Sequence, residues 1–408
     1  MRNIQYDKYA NYLIVAYAFA LPISKAATVL FEVLLIALWF FQGDFKSKFN
    51  ELKQSKFIIV LSLFLLLGVI AIGWSSDTAY ALAYIKKYWH FLVIPIIYTS
   101  LESKYVKHIF SGFLFGMLIS EVVSYGIFFE LIHYKNRLPS DPSPFMDHTN
   151  YSVYLSFAAM ILLNRIFFEE RFRMKIFYFI YFLIVSSSLF INGGRTGQVI
   201  FITSLFIVGF INIKNKMKSI IIMLTLTTAI LLTAYNVSPV FNARSNALME
   251  DITQMTIHDK YTGGFGQRVA LWTMGANVAM DNFIYGTGLG DEMDGMTFYA
   301  KKYNFSLYVD KPEKGYIDYH NAFIQYFVQL GVLGFILFLS LFYALAMNKF
   351  QNKIYLNINI LFIVSFFMLS MIGPSLHLMN SMVLFALFAG MLNGISKLET
   401  SREAIDKN

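Results

Sequence analysis

The chain has 408 residues, of which 57% are hydrophobic and only 14% charged, and it carries a formal net charge of +8. An average soluble domain is about 25% charged, so an ordinary soluble protein is excluded. Cysteine is absent, which excludes a disulfide framework, zinc–thiolate sites, iron–sulfur clusters and a cysteine nucleophile.

The elements predicted in chain order are apolar helices. A hydrocarbon core about 30 Å thick takes roughly 20 apolar residues per span. Such runs fall near 9–23, 26–42, 57–73, 84–100, 108–132, 150–168, 175–192, 196–212, 217–235, 320–347, 354–372 and 376–394. The expected fold is therefore an all-α polytopic membrane protein with about 12 transmembrane helices. The first two runs are short, so a re-entrant hairpin that leaves ten spans is the alternative. Residues Met1–Lys8 lead into the first run without a small-residue cleavage pattern, so no cleavable signal peptide is expected.

Lysine and arginine set the orientation. With the N-terminus in the cytoplasm, 20 of the 33 Lys and Arg residues fall in cytoplasmic segments. The positive charge is thus explained by membrane topology, and nucleic acid is not an expected partner. On this topology the chain divides into helices 1–9 over residues 1–235, a long outer loop with short helices over 236–319, and helices 10–12 with a short cytoplasmic tail over 320–408. A loop of 84 residues is expected to be functional. Within it, Gln267–Asn282 reads as an amphipathic helix with Val269, Trp272, Ala276 and Ala279 on one face, stopped by the glycine-rich run Tyr285–Gly290.

An ionisable group at membrane depth is costly and is a functional candidate by default. Arg195 sits in Ile191–Gln198 (INGGRTGQ), the only charge between Lys175 and Lys214. It is either an interfacial arginine snorkelling to headgroups or a fixed cation for a phosphate-bearing lipid, since guanidinium matches phosphate with paired hydrogen bonds. Arg268 opens the predicted loop helix just after Gly263–Gly266. Arginine there opposes the helix dipole unless an anion is shared between the two. His320, with Asn321 beside it and Gln325 further on, lies at the outer end of the tenth span. It is an interfacial residue near Tyr316 and Tyr319, or a base that takes a hydroxyl proton. His148 lies on the same outer side, lining the site or capping a helix. His90, His108 and His377 are weaker candidates, and no histidine falls in a metal-ligand pattern. The acidic run Asp291, Glu292 and Asp294 reads as a solvated loop or a divalent-cation site. Glu32 and Glu121 are expected to face the bundle interior.

Two arginines and a histidine on one side suit a lipid-linked diphosphate sugar. The arginines neutralise the leaving diphosphate and the histidine deprotonates the attacking hydroxyl. Such a donor is already activated, so no cofactor and no metal is called for.

The chain resembles the bacterial O-antigen ligase superfamily, which includes lipopolysaccharide O-antigen ligases, O-antigen polymerases and protein O-oligosaccharyltransferases. The resemblance rests on Gly193–Gly197 with Arg195, on Gln267-Arg268 with Trp272, on Asp281–Gly290, and on His320-Asn321 with Gln325, Leu330-Gly331 and Gly334. Trp74–Asp77 is similar to the family's early outer loop. The resemblance implies a metal-independent, inverting glycosyltransferase with a fold like the C-type glycosyltransferases, in the bacterial inner membrane with its active site on the periplasmic side. It implies an undecaprenyl-diphosphate-linked glycan as donor and a lipid A–core sugar as acceptor, as in lipopolysaccharide biosynthesis. By position, Arg195 and Arg268 would bind the diphosphate and His320 would activate the acceptor, with Asn321, Gln325, His148 and Trp272 as further substrate-binding residues. Some polymerases carry an arginine followed by glycine eleven positions later. Here Arg195 leads to Phe206 and Arg268 to Ala279, which favours a ligase. A polymerase or protein O-oligosaccharyltransferase using the same donor remains the alternative. A lipid-linked sugar transporter is less favoured, because the chain shows no internal repeat of the kind transporters have.

Overall fold

The computed structural model describes residues 4–305, 318–373 and 375–406. The chain is an all-helical, multi-pass membrane protein. Among the described residues, ten helices are long and apolar enough to cross a bilayer. They are α2 (Lys25–Gln42), α4 (Lys56–Ala71, prolonged to Trp74), α7 (Ser103–Phe128), α8 (His148–Phe168), α9 (Phe172–Ile191), α10 (Arg195–Asn212), α11 (Lys216–Val237), α15 (Ala322–Ala346), α16 (Lys353–Ile372) and α17 (Met379–Asp406). The remaining α-helices, shorter or more polar, are α1 (Ile4–Ala20), α3 (Phe45–Leu52), α5 (Thr78–Lys86), α6 (Val93–Ser100), α12 (Pro239–His258), α13 (Gly264–Asp281) and α14 (Met296–Lys302).

All twelve apolar runs are helical, but two fall short of the ten. The first is α1, whose 17 residues rise only about 25 Å. The second is the run expected at 84–100. It breaks into α5, a 3₁₀ stretch over Lys87–Leu92 and α6. Pro95 has no N–H to give the preceding turn, and its ring crowds the carbonyl four residues back, so the backbone tightens there.

Burial separates a centre from a rim. In its most apolar stretch α17 is 83% buried, whereas α11 is 17% buried. Leu63, Leu66 and Ile70 of α4 and Phe172, Phe177 and Leu183 of α9 point outward, as lipid-facing side chains do. Glu32 and Glu121 face inward as expected and are fully buried. Glu32 accepts from the Tyr17 hydroxyl at 3.0 Å and pairs with His90 Nδ1 at 2.7 Å. A buried carboxylate left alone would be costly, and these two partners answer for it.

The long loop docks onto a break in α15. Gly331 adopts φ 63° inside that helix, a conformation open mainly to glycine. The break frees the carbonyls of Val328 and Gln329, which accept from Thr287 N at 2.7 Å and Gly288 N at 3.1 Å. Gly286 and Gly288 also have positive φ, so the glycine-rich run that ends α13 is shaped to this break. A β-carbon on Gly331 would lie 2.1 Å from the Ile284 carbonyl oxygen.

The packing face of α13 is not the one expected. Ala270, Leu271, Met274, Gly275, Val278 and Ala279 are buried, while Trp272 and Ala276 are not. Gly275 lets Tyr319 and Ile324 come close, and Leu271 and Met274 fill the space beside it. That rotates the helix and leaves Trp272 at the site.

Gly331→Ala is expected to lower the thermal unfolding temperature of the purified protein. The left-handed backbone alone costs a residue with a β-carbon about 1–2 kcal/mol, and the clash adds to it. Gly73→Ala, where nothing lies within 4 Å of an added β-carbon, is the control and should unfold with the wild type. Equal unfolding temperatures for all three would contradict the docking described.

Candidate active site

At the end of the bundle that bears the long loop, α10 starts on a three-residue connection, Asn192–Gly194. The Asn192 side chain accepts from Gly194 N at 2.9 Å and donates to Ser143 Oγ at 2.7 Å. A β-carbon at Gly194 would lie 2.4 Å from the His148 carbonyl oxygen, and one at Gly197 would lie 2.1 Å from that of Ser152. These two glycines bring the α10 N-terminus onto the start of α8. Neither α10 nor α13 has its first turn capped by its own N-cap side chain. Their N–H groups leave partial positive charge at that end.

Three arginines gather there. Arg195 is the first residue of α10 and is half-buried. Its Nη2 would lie 3.2 Å from a β-carbon on Gly264, at the start of α13. Arg244 of α12 lies over the connection, with its Nη2 3.5 Å from where a β-carbon of Gly193 would be. Arg268 of α13 is half-buried. Burial pulls its guanidinium pKa down, repulsion from Arg195 lowers it further, and Asp318 opposes both. Arg195 in turn feels Arg244 and Asp251. Among the described residues none of the three arginines donates a hydrogen bond or closes an ion pair. The Asp251 carboxylate accepts from Phe265 N at 2.9 Å, so it caps the first turn of α13 from α12.

His320 stands next to this cluster. Its Nδ1 is 3.2 Å from Asp318 Oδ1, and its side chain is half-exposed. Its own N–H donates to the same carboxylate at 2.6 Å, and its carbonyl lies 3.4 Å from Trp272 Nε1. His320 has φ 51°, a strained conformation that these contacts hold in place. With Nδ1 turned to Asp318, Nε2 has no partner among the described residues.

The other expected residues have structural partners. Asn321 Oδ1 accepts from Phe323 N at 2.9 Å and Ile324 N at 3.2 Å, capping α15. Gln325 Oε1 accepts from Tyr319 N at 3.1 Å. Both shape the turn that presents His320. His148 begins α8, 3.3 Å from Asp141, with its carbonyl against Gly194. Burial pushes the Asp141 carboxyl up, but hydrogen bonds from His148 and Ser143 with the charges of His148 and Arg137 outweigh it and leave it below its usual value. Tyr316 lies outside the described residues. His90 is spent on Glu32, and His377 lies 2.9 Å from Lys87.

Arg244 and Asp318 were missed from sequence. Arg244 lies in an ordinary polar helix with no glycine or apolar context to mark it. Asp318 had a local signal, an acid two residues before the histidine, whose side chain can reach back in a turn.

The acidic run is a clasp. The Asp291 carboxylate accepts from Ser76 Oγ at 2.8 Å and from Ser76 N and Asp77 N. Glu292 accepts from Gly290 N at 2.6 Å, and burial pushes its carboxyl up. Among the described residues no group of three or more His, Asp or Glu is placed to hold a metal ion. The run therefore ties the loop to the Trp74–Asp77 turn.

The described chain is thus an all-helical membrane bundle with three arginines gathered at one end. Residues 179–339 match the family model described as O-antigen ligase. Over that segment the chain is similar to the O-antigen ligase family, which supports work of the ligase, polymerase or oligosaccharyltransferase type on lipid-linked glycans. The matched segment contains Arg195, Arg244, Arg268, Trp272 and His320. No curated protein matches the chain.

Asp291→Ala should free the Ser75–Asp77 turn. Losing hydrogen bonds to a charged acceptor costs about 1.5–3 kcal/mol, so the Ser76 and Asp77 amides are expected to exchange with deuterium on the order of 10-fold faster or more. Adding EDTA to the wild type should leave their exchange unchanged. A chelator effect matching that of the variant would restore the cation reading.

Proposed function

We propose that the protein is an O-antigen ligase, moving glycan from undecaprenyl diphosphate to a lipid A–core sugar hydroxyl at the periplasmic face of the bacterial inner membrane. The observation that carries this reading is the convergence of unpaired arginines from separate helices beside an Asp318-oriented His320. Such a set calls for an anion that the protein itself does not supply. A diphosphate joined to a lipid brings that anion to a membrane boundary. Arg195 and Arg268 hold it by paired hydrogen bonds, with the α10 and α13 N-termini adding N–H groups.

The acceptor hydroxyl approaches the sugar C1 from the face opposite the diphosphate. His320 Nε2 takes its proton, and Asp318 stabilises the imidazolium that forms. The acceptor oxygen bonds to C1 as the C1–O bond to the diphosphate breaks, and the electron pair stays on the phosphate oxygen. Configuration at C1 inverts. The donor carries its own leaving group, so no cofactor takes part. The fold reading that goes with this activity is that of the C-type glycosyltransferases. Ligase rather than polymerase rests on the missing glycine eleven residues after Arg195 and Arg268.

The test uses the purified protein in liposomes with EDTA, undecaprenyl-diphosphate glycan and lipid A–core. A lipopolysaccharide band of reduced mobility is expected. Arg195→Ala, Arg268→Ala and His320→Ala should each lower its formation by about 100-fold or more, with the protein still in the membrane. A ladder of longer carrier-linked glycans would instead make it a polymerase. Full activity in all three variants would contradict the site.

A further inference from the structure

Arg244 lies outside every motif that marks the site, yet its guanidinium Nη2 is 3.5 Å from where a β-carbon of Gly193 would be, and Arg195 feels its charge. It is exposed, whereas Arg195 and Arg268 are half-buried, and among the described residues it has no hydrogen-bond or ion-pair partner. It comes from α12, a helix with no fully buried residue, which Phe241 packs against Phe190 and Asp251 ties to α13. Two like charges close together raise the free energy of the empty site. Asp251, the carboxylate that Arg195 feels along with Arg244, and Asp318, which faces Arg268, are two negative charges among three positive ones.

The charge of the donor gives the third arginine a role. A lipid–diphosphate–sugar carries one ionised oxygen on each phosphate, and Arg195 and Arg268 match those two. When the C1–O bond breaks, its electron pair stays on the terminal phosphate, which then bears a third negative charge. The proton released by the acceptor hydroxyl goes to His320, so it does not neutralise that oxygen. A cation that meets this charge only as it develops lowers the barrier, whereas one that binds donor and transition state alike lowers only KM.

We propose that Arg244 is a catalytic residue that stabilises the diphosphate as a leaving group, and that it contributes little to binding the intact donor. This rests on the donor and site proposed above. Arg195 and Arg268 hold the donor, and Arg244 answers the charge that appears on cleavage. Released undecaprenyl diphosphate therefore binds more tightly than the donor, and Arg244 is responsible for the difference.

The experiment is steady-state transfer by full-length protein in liposomes, comparing wild type, Arg244→Ala, Arg244→Lys and Arg195→Ala. In Arg244→Ala, kcat should fall about 100-fold, as for the loss of one preorganised donor to developing charge, while KM for the donor stays within about 3-fold. Inhibition by added undecaprenyl diphosphate should weaken to a similar degree, and Arg244→Lys should recover part of kcat. Arg244 is exposed and unbonded, so its variants should unfold at the wild-type temperature. A raised KM with unchanged kcat, or unchanged kinetics, would overturn the proposal. If Arg195→Ala is inactive while Arg244→Ala is not, this inference fails and the site stands. If Arg195→Ala is fully active, the shared site itself is wrong.

Discussion

Like charges held together in a partly desolvated place set the terms for this end of the molecule. At 4 Å two unit charges repel by about 1 kcal/mol in water and about 4 kcal/mol at an effective dielectric of 20. Burial pulls the Arg268 guanidinium pKa down, and repulsion from Arg195 lowers it further. Side chains free to move would drift apart. The backbone prevents this by fixing where each begins. Gly194 and Gly197 press the α10 N-terminus onto α8, Asp251 pins the start of α13 to α12, and the break at Gly331 anchors the loop beyond α13.

The same contacts link parts of the chain that are far apart in sequence. The Trp74–Asp77 turn is held by Asp291, and the hydroxyl of Tyr319 donates to the Glu292 carbonyl. His320 follows Tyr319 directly, so its position depends on a loop clasped at one end to α4 and α5 and at the other to α15. Reading these residues as separate motifs understates this. The glycines, the acids and the aromatic side chains of the loop form one support for a single imidazole.

Much of the architecture was legible because hydropathy is a local property. All twelve apolar runs became helices, and the two buried glutamates faced inward. Legibility ended where a neighbour decided the outcome. Pro95 broke one run through its effect on the preceding turn. The face of α13 depended on Gly275 accepting Tyr319, a partner more than forty residues away. Arg195, Arg268 and His320 stood out because each is a polar group in an apolar or glycine-rich setting. Arg244 did not, since an arginine in a polar helix is unremarkable until its helix is laid across Gly193. Asp291 was visible as an acid, but its partners, the Ser76 and Asp77 amides, were not.

The central claim is that the three guanidinium groups enclose a lipid-linked diphosphate with its sugar turned toward His320. The most direct measurement is a cryo-electron microscopy structure of the His320→Ala protein in nanodiscs with undecaprenyl-diphosphate glycan. Density for both phosphates between Arg195, Arg244 and Arg268, with the first sugar at position 320, is the predicted result. Density for the diphosphate elsewhere on the protein, with the arginines unoccupied at saturating donor, would contradict the account.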